Sequence, residues 1–193
     1  MTDTKPAGPV RLVAGAELPA SGRWQIDPGH TEAAFIGRHF MLTKVRGRFT
    51  GVTGTILVAD EPGESAVDVT IDTASVESGS QARDDHLRSA DFFDTARHPT
   101  AAFSGRAAHW QGTQGLLAGD LTIRGITRPV TLQVGYLGHV ADPWGGQRAI
   151  FTAHGILNRE DWGLTWNMLL DGGGLLVSKD IGIEIEAEAV LQS

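Results

Sequence analysis

Apolar and polar residues alternate with a period of two along most of this chain. Val67, Val69 and Ile71 alternate with polar residues, and between residues 183 and 189 isoleucine and alanine alternate with glutamate. Because successive side chains of a β-strand point to opposite faces of the sheet, this alternation predicts strands with one apolar face. About eight or nine such segments, mostly joined by short turns, predict an antiparallel meander that closes into a barrel.

One block interrupts the alternation midway along the chain. Ala82, His86, Leu87 and Ala90 recur at helical spacing, which predicts a short amphipathic helix near residues 80–90. Two consecutive phenylalanines follow, and we expect them to be buried just beyond the end of the helix. A single helix in an all-β chain indicates a barrel with a lid on its rim, and a lidded barrel implies cargo.

Length and charge limit the function classes. The chain has 193 residues, a length that barrels often reach as a single domain. We expect a loose N-terminal arm over residues 1–22 and a barrel domain over residues 23–193. The formal net charge of −7 argues against a nucleic-acid partner, because phosphate binding requires clustered Lys and Arg. The absence of cysteine excludes disulfides and thiolate chemistry.

The sequence contains no targeting or membrane-spanning segment. The longest apolar stretch near the N-terminus, Leu12 to Ala16, is too short for the core of a signal peptide. No run approaches the roughly 20 apolar residues that a membrane span needs. We therefore predict a cytoplasmic protein.

Neither catalytic nor metal-ligating residues stand out. The seven histidines show no metal-ligand spacing, and there is no Gly-x-Ser-x-Gly elbow for a nucleophilic serine. The carboxylates near the predicted helix are more typical of a solvated face; they are Asp84, Asp85, Asp91 and Asp94. We predict no catalytic residue, no metal site and no cofactor.

The predicted inward faces mix bulky apolar residues with small ones. Small inward residues leave room inside a barrel; they are Ala33, Gly37, Gly119, Ala153 and Gly155. Large aromatic residues offer the alternative, a core filled in the ordinary way; the candidates are Trp24, Phe49, Trp162 and Trp166. Composition alone does not decide between the two, because packing density cannot be inferred from a sequence.

Several motifs are similar to those of one family. Residues 24–31 contain W-x-I-D-P-x-H-T, residues 44–49 K-V-R-G-R-F, and residues 83–94 R-D-x-H-L-R-S-x-D-F-F-D. Further motifs are G-D-L-T-I-R-G-I-T-R-P-V at residues 119–130 and R-x-D-W-G-L at residues 159–164. Over nearly all of Trp24 to Val190 the chain resembles the YceI-like family, the lipocalin-like polyisoprenoid-binding proteins. It departs from the family at Ala33 and Gly37, where larger aliphatic residues are common, which favours a wider pore.

The resemblance implies an all-β fold, a closed antiparallel eight-stranded lipocalin-like barrel with one short α-helix at its rim. It implies non-enzymatic binding, storage or carriage of a long apolar isoprenoid lipid, of the polyprenyl phosphate or isoprenoid quinone type. Combined with the inward parity, it predicts that the lipid tail contacts Phe35, Gly37, Val69, Leu87, Phe92, Phe103, Leu121, Val134, Phe151 and Ile183. Donors for a polar head group are expected from Arg38, His39, Arg46, Arg83, Arg88 and Arg159.

Two other functions stay open from the sequence. One is an enzyme that acts on an isoprenoid-type lipid, with the histidine and aspartates of the helical block as acid and base. The other is an interaction protein that responds to stress. Apart from an isoprenoid lipid or another long apolar molecule, no partner is predicted; oligomeric state is open, and a homodimer is one option.

Overall fold

The computed structural model describes residues 10–169 and 176–192. These residues form one α-helix, α1 (Gln81–Arg88), together with strands that we number in chain order. The strands are β1 (Val10–Val13), β2 (Ala16–Pro19), β3 (Gly22–Ile26), β4 (Glu32–His39), β5 (Thr43–Phe49), β6 (Val52–Val58), β7 (Ala66–Asp72), β8 (Val76–Glu77), β9 (Thr100–Gln111), β10 (Gln114–Ile123), β11 (Ile126–Ala141), β12 (Gln147–Asn158) and β13 (Asp180–Leu191).

Eight of the strands form a closed antiparallel barrel in the order β12, β11, β10, β9, β7, β6, β3 and β13. The barrel closes where β12 pairs with β13, in a continuous register from Arg148 opposite Val190 to Asn158 opposite Asp180. Closure leaves no unpaired strand edge in this ring. The predicted all-β barrel with a single short helix is confirmed.

Two strands share the second edge of β13. β3 pairs with its C-terminal end and β4 with its first half, because a 3-10 turn at Pro28–His30 interrupts the chain between them. Strands β5 and β6 are separated at Gly51, where a side chain would not fit because its Cβ atom would lie 2.8 Å from the Cβ of Asp72. The β4–β5 hairpin extends past the closed ring and forms one wall at the end that carries α1.

Helix α1 is fixed to the rim by its polar side chains. The guanidinium of Arg88 donates hydrogen bonds to the carbonyl oxygens of Ala74 and Val76, at 2.9 and 2.7 Å. The buried carboxylate of Asp84 accepts a hydrogen bond of 2.8 Å from the backbone N–H of Ser78. Leu87, three residues after Asp84 and buried like it, packs in the core cluster that includes Phe92 and Trp162.

The N-terminal region corrects one prediction from the sequence. Residues 10–19 of the predicted arm form an antiparallel hairpin, β1–β2, which covers the barrel end opposite α1. The reason is tertiary: Leu18 packs there with the fully buried Trp24, and Arg11 donates to the carbonyl oxygens of Ala59 and Asp60. The first nine residues of the arm lie outside the described residues, and the domain boundary at residue 23 stays a prediction.

The one helix in the described ranges is α1, and it is too short and too polar to cross a membrane.

Candidate functional site

Two apolar cavities lie end to end inside the protein. The first has a volume of about 230 Å³ and occupies the barrel from Leu18 of the N-terminal hairpin to the middle of the strands. The second has a volume of about 330 Å³ and lies between α1, the ends of β4 and β13, and the 3-10 turn Arg159–Trp162. Both have the apolar lining that a ligand cavity typically shows.

An aromatic partition separates the cavities. The residues that line both are Phe35, Phe49, Phe93, Ile123, Leu157 and Ile183. The ring centroids of Phe35 and Phe49 are 5.6 Å apart, and Phe93 lies 6.4 Å from the first and 5.2 Å from the second. The side chains of these residues therefore form the boundary between the two cavities.

The residues that were predicted to contact a lipid tail all line these cavities. Those on the first cavity are Val69, Phe103, Leu121, Val134 and Phe151. Those on the second are Gly37, Leu87 and Phe92. Phe35 and Ile183 belong to the partition. Their contact with a ligand stays a prediction.

An aromatic cluster forms the wall of the second cavity beneath α1. The rings of His86 and Trp166 have centroids 4.5 Å apart, and Phe92 lies 5.0 Å from the first and 5.4 Å from the second, in edge-on or tilted arrangements. Such geometry places ring edges against ring faces, which is the favourable arrangement for aromatic pairs. The lid therefore presents an aromatic surface to the cavity.

A buried arginine is the main polar feature of the second cavity. Arg159 is only 5% exposed; its Nε donates to the carbonyl oxygen of Ser178 at 3.0 Å and its Nη1 to that of Leu164. Within residues 10–169 and 176–192, its Nη2 is buried and has no hydrogen-bond partner. Burial lowers the pKa of Arg159, although the charge of Glu160 opposes that shift. A guanidinium so placed has a donor available for an oxygen atom of a ligand.

The similarity to known proteins agrees with this architecture. A model of the YceI-like domain matches residues 24–189. The protein YceI of Escherichia coli O157:H7 is 35% identical over 180 residues, covering 93% of this chain and 91% of that protein. The chain belongs to the YceI family.

Solved structures of YceI proteins share the fold. The crystal structure of a Campylobacter jejuni YceI protein superposes with a TM-score of 0.69 at 28% identity, covering 81% of this chain and 90% of that chain. A polyisoprenoid-binding domain from Saccharophagus degradans, implicated in plant cell wall breakdown, superposes with a TM-score of 0.65 at 16% identity. That match covers 88% of this chain and 98% of the domain, and at this identity it shows the fold alone.

The predicted head-group donors of this member of the YceI family divide into two sets. Four of the six line the second cavity: Arg38, His39, Arg83 and Arg159. Neither Arg46 nor Arg88 lines a cavity. Arg46 forms ion pairs with Glu32 and Glu184 on the outer surface, and Arg88 ties α1 to the carbonyl oxygens near β8. Strand parity could have shown this for Arg46, because Val45 and Gly47 on either side of it face inward.

The small inward residues also divide into two sets. Ala33 and Ala153 line the first cavity and Gly37 the second. At Gly119, in contrast, a Cβ atom would contact backbone atoms of Ser104 and Gly105. At Gly155 it would lie 2.7 Å from Cδ2 of Leu132. Those two glycines therefore admit neighbouring groups and leave no open space.

The large aromatic residues are similarly divided. Trp24 is buried in the core cluster around Leu18 and lines neither cavity. Trp162 is buried in the other core cluster and also lines the second cavity, as do Phe49 and Trp166. Sequence reasoning missed Phe49 and Phe93 as wall residues. Phe49 alternates along β5 in step with Val45 and Gly47, so the period of two could have predicted that it faces inward. No such signal exists for Phe93, which follows the helix outside any strand.

A carboxylate and histidine cluster lies at the barrel end that is opposite α1. Asp27, His30 and Glu188 come close enough together to suggest a metal site. Arg148 occupies the position between the carboxylates, however, and donates to Asp27 at 2.6 Å and to Glu188 at 2.5 Å. The hydrogen bonds from Arg148 and then His30 lower the pKa of Asp27 from 3.8 to about 2. The cluster is therefore an ion-pair network centred on an arginine.

Proposed function

We propose that this protein binds and carries an isoprenoid lipid, with most of the tail in the first cavity, and with the head group and the tail carbons next to it in the second. The observation that supports this most is the arrangement itself: two consecutive apolar cavities separated by side chains, with a buried guanidinium beside the second. Membership of the YceI family and the polyisoprenoid-binding domain among its structural neighbours support the same ligand class.

Burial of the tail supplies a large favourable contribution to binding. Burial of a methylene group contributes roughly 0.8 kcal/mol, so about ten buried carbon atoms contribute about 8 kcal/mol, from which the loss of translational and rotational freedom on association is subtracted. The first cavity has apolar walls over its whole length. A branched or unsaturated hydrocarbon chain fits such a wall without needing a hydrogen bond.

The head group is proposed to accept a hydrogen bond from Arg159. A charged donor that is out of contact with water interacts strongly with an oxygen acceptor, because the local dielectric constant is low. The phosphate of a polyprenyl phosphate offers a charged acceptor, and the ring of an isoprenoid quinone offers neutral carbonyl oxygens. Arg38 and Arg83, which are exposed and line the same cavity, are positioned to contact the outer part of the head group.

Binding of a polyprenyl phosphate, the uncharged polyprenol and an isoprenoid quinone of equal tail length tests the proposal. We expect Arg159→Met to weaken binding of the phosphate by about tenfold or more, the loss of one charged hydrogen bond, and to leave polyprenol binding nearly unchanged. Arg159→Lys, which keeps the charge, should give an intermediate value. Arg106→Met on the exposed face of β9 is the matched control. Failure of the wild-type protein to bind any of the three would contradict the proposal.

One observation bears on the enzymatic alternative. Nε2 of His86 lies 2.9 Å from a carboxylate oxygen of Asp91, and His86 lines the second cavity. This pair could act as an acid and a base on a bound lipid. If a lipid incubated with the protein is chemically changed, and His86→Ala abolishes that change but not binding, the enzymatic function is the correct one.

A further inference from the structure

The tip of the β4–β5 hairpin is formed by three consecutive apolar residues. Phe40 and Met41 are half exposed and Leu42 is 79% exposed. Phe40 and Met41 also adopt left-handed backbone conformations, with φ of 53° and 59°. Bulky residues disfavour that region, which suits Gly, Asn or Asp in two-residue hairpins. Folding therefore does not explain these residues: polar residues or glycine at the tip would suit both the backbone and the contact with water.

A second segment adds apolar residues beside the tip. The backbone N–H of Phe40 donates to the carbonyl oxygen of Leu176 at 2.9 Å, and the N–H of Leu176 donates to that of Met168 at 3.0 Å. Met168 and Leu169 are both exposed. We call Phe40, Met41, Leu42, Met168 and Leu169 together the apolar tip. Clustered exposed apolar residues of this kind mark interaction surfaces, whereas single ones need no explanation.

Two basic residues lie next to the apolar tip, on either side of the β4–β5 hairpin loop. Arg38 and Lys44 lie opposite each other in the β4–β5 register, and both are exposed. Neither forms an ion pair with a carboxylate of the described ranges, in contrast to Arg46 and Arg48 farther along β5, which pair with glutamates. Although the chain as a whole has a net charge of −7, these two cations favour contact of this end, rather than of the rest of the molecule, with an anionic surface.

The other exposed apolar residues occupy a different electrostatic setting. Leu137, Val140 and Trp144 are exposed on β11 and in the turn that follows it, at the barrel end that the N-terminal hairpin covers. The charged groups described at that end include Glu17, beside His139, and Asp142, which forms an ion pair with Arg148. At that end Arg148 is neutralised by carboxylates, whereas Arg38 and Lys44 beside the apolar tip form no ion pair with any carboxylate that the structure describes. The apolar tip therefore suits an anionic membrane better.

The apolar tip adjoins an opening of the second cavity. Arg38 lines that cavity and is exposed to solvent, so the cavity reaches the surface beside the tip. His39, which precedes Phe40, and Val177, which follows Leu176, line the cavity as well and form a β-bridge with each other. A surface that contacts the tip therefore also contacts the opening.

We propose that the apolar tip inserts into the surface of an anionic lipid bilayer and thereby places the opening of the second cavity against the membrane. Interfacial binding of this type combines burial of apolar side chains with attraction between basic residues and anionic lipids. The purpose of the contact, exchange of an isoprenoid lipid, rests on the proposed function. The contact itself does not, and it can be measured with membranes that contain no isoprenoid.

Vesicle flotation tests the proposal, with vesicles of phosphatidylcholine alone and of phosphatidylcholine with phosphatidylglycerol. We expect wild-type protein to float with the anionic vesicles, and the floated fraction to fall as salt screens the attraction. Leu42→Asp should reduce vesicle binding by about tenfold or more. Lys44→Gln should reduce it by about fivefold on anionic vesicles and leave it unchanged on neutral ones.

Leu137→Asp is the matched control, because it replaces an equally large side chain, 66% exposed, with the same change in charge. It should float like wild type. The proposal is overturned if wild-type protein ignores anionic vesicles, or if Leu137→Asp and Leu42→Asp reduce flotation equally. It is also overturned if sedimentation shows that the tip joins two copies of the chain and Leu42→Asp only separates them. If wild-type protein floats with anionic vesicles but retains no isoprenoid lipid, the proposed function is refuted and the proposal of membrane contact stands.

Discussion

Replacing Gly37 with leucine tests whether the second cavity is open space. Gly37 is buried at the end of β4 and its φ lies outside the left-handed region, so a side chain is compatible with the backbone. A Cβ atom there would lie 3.4 Å from Cδ1 of Ile181 and 3.9 Å from Oγ of Ser178, which is ordinary contact. The remaining atoms of leucine would then extend into the cavity of about 330 Å³.

The expected effects on stability and on binding have opposite signs. Burial of a leucine side chain contributes roughly 1.5–3 kcal/mol, and loss of rotamer freedom takes back about 0.5–1 kcal/mol, so Gly37→Leu should raise the free energy of unfolding by about 1–2 kcal/mol. The side chain also displaces about four ligand carbons. At roughly 0.8 kcal/mol each, this amounts to about 3 kcal/mol, a loss of about a hundredfold in affinity.

Denaturant unfolding and lipid titration of the same preparation measure both effects. Gly37→Ala should change neither by much. Gly119→Ala, a glycine where a Cβ atom would meet backbone atoms of the next strand, should lower the stability. The reasoning is refuted if Gly37→Leu destabilises the protein by the roughly 1–3 kcal/mol that is typical of overpacking, because the site is then filled core.

Three further predictions concern the partition, the ion-pair network and the N-terminal hairpin. Phe35→Asp should abolish lipid retention, because an unpaired carboxylate in an apolar cavity costs several kcal/mol, whereas Phe35→Leu should retain lipid; retention by a folded Phe35→Asp variant would disprove the role of the partition. The pKa of Asp27 is depressed from 3.8 to about 2, so its ion pair with Arg148 stabilises the fold fully above pH 3.8, and that stability is lost as the pH falls toward 2. Unfolding curves between pH 2 and 6 should therefore show a shallower pH dependence for Asp27→Asn, and an unchanged slope would count against the pairing. Leu18→Ala should lower the free energy of unfolding by about 2–5 kcal/mol, because Leu18 is 2% exposed; a change below about 0.5 kcal/mol would show that the hairpin does not pack on the barrel.

The barrel could be predicted because parity is a local property of the sequence. The alternation along Val67–Ile71 assigns each side chain to a face without knowledge of the neighbouring strand. The helix was predictable for the same reason, since the spacing of His86 and Leu87 with their neighbours fits a helical period. Both patterns are confirmed in the structure.

The features that escaped prediction depend on contacts between distant segments. Phe35, Phe49 and Phe93 come from two strands and a post-helical turn, and only closure of the barrel brings their rings together. Arg159 and Arg46 look alike in sequence, yet one is buried beside a cavity and the other forms ion pairs on the outer surface. Tertiary packing determines that difference, as it determines the burial of Leu18 in a hairpin with no strong strand signal.

Native mass spectrometry of the protein, purified from its own host without delipidation, tests the central claim most directly. We expect a complex with one lipid per chain, and release of that lipid at higher collision energy should give the mass of an isoprenoid with a phosphate or quinone head group. The Gly37→Leu protein should carry less of it. Wild-type protein that appears only at the mass of the bare chain, under conditions that preserve apolar complexes of a known lipid-binding barrel, would contradict the claim.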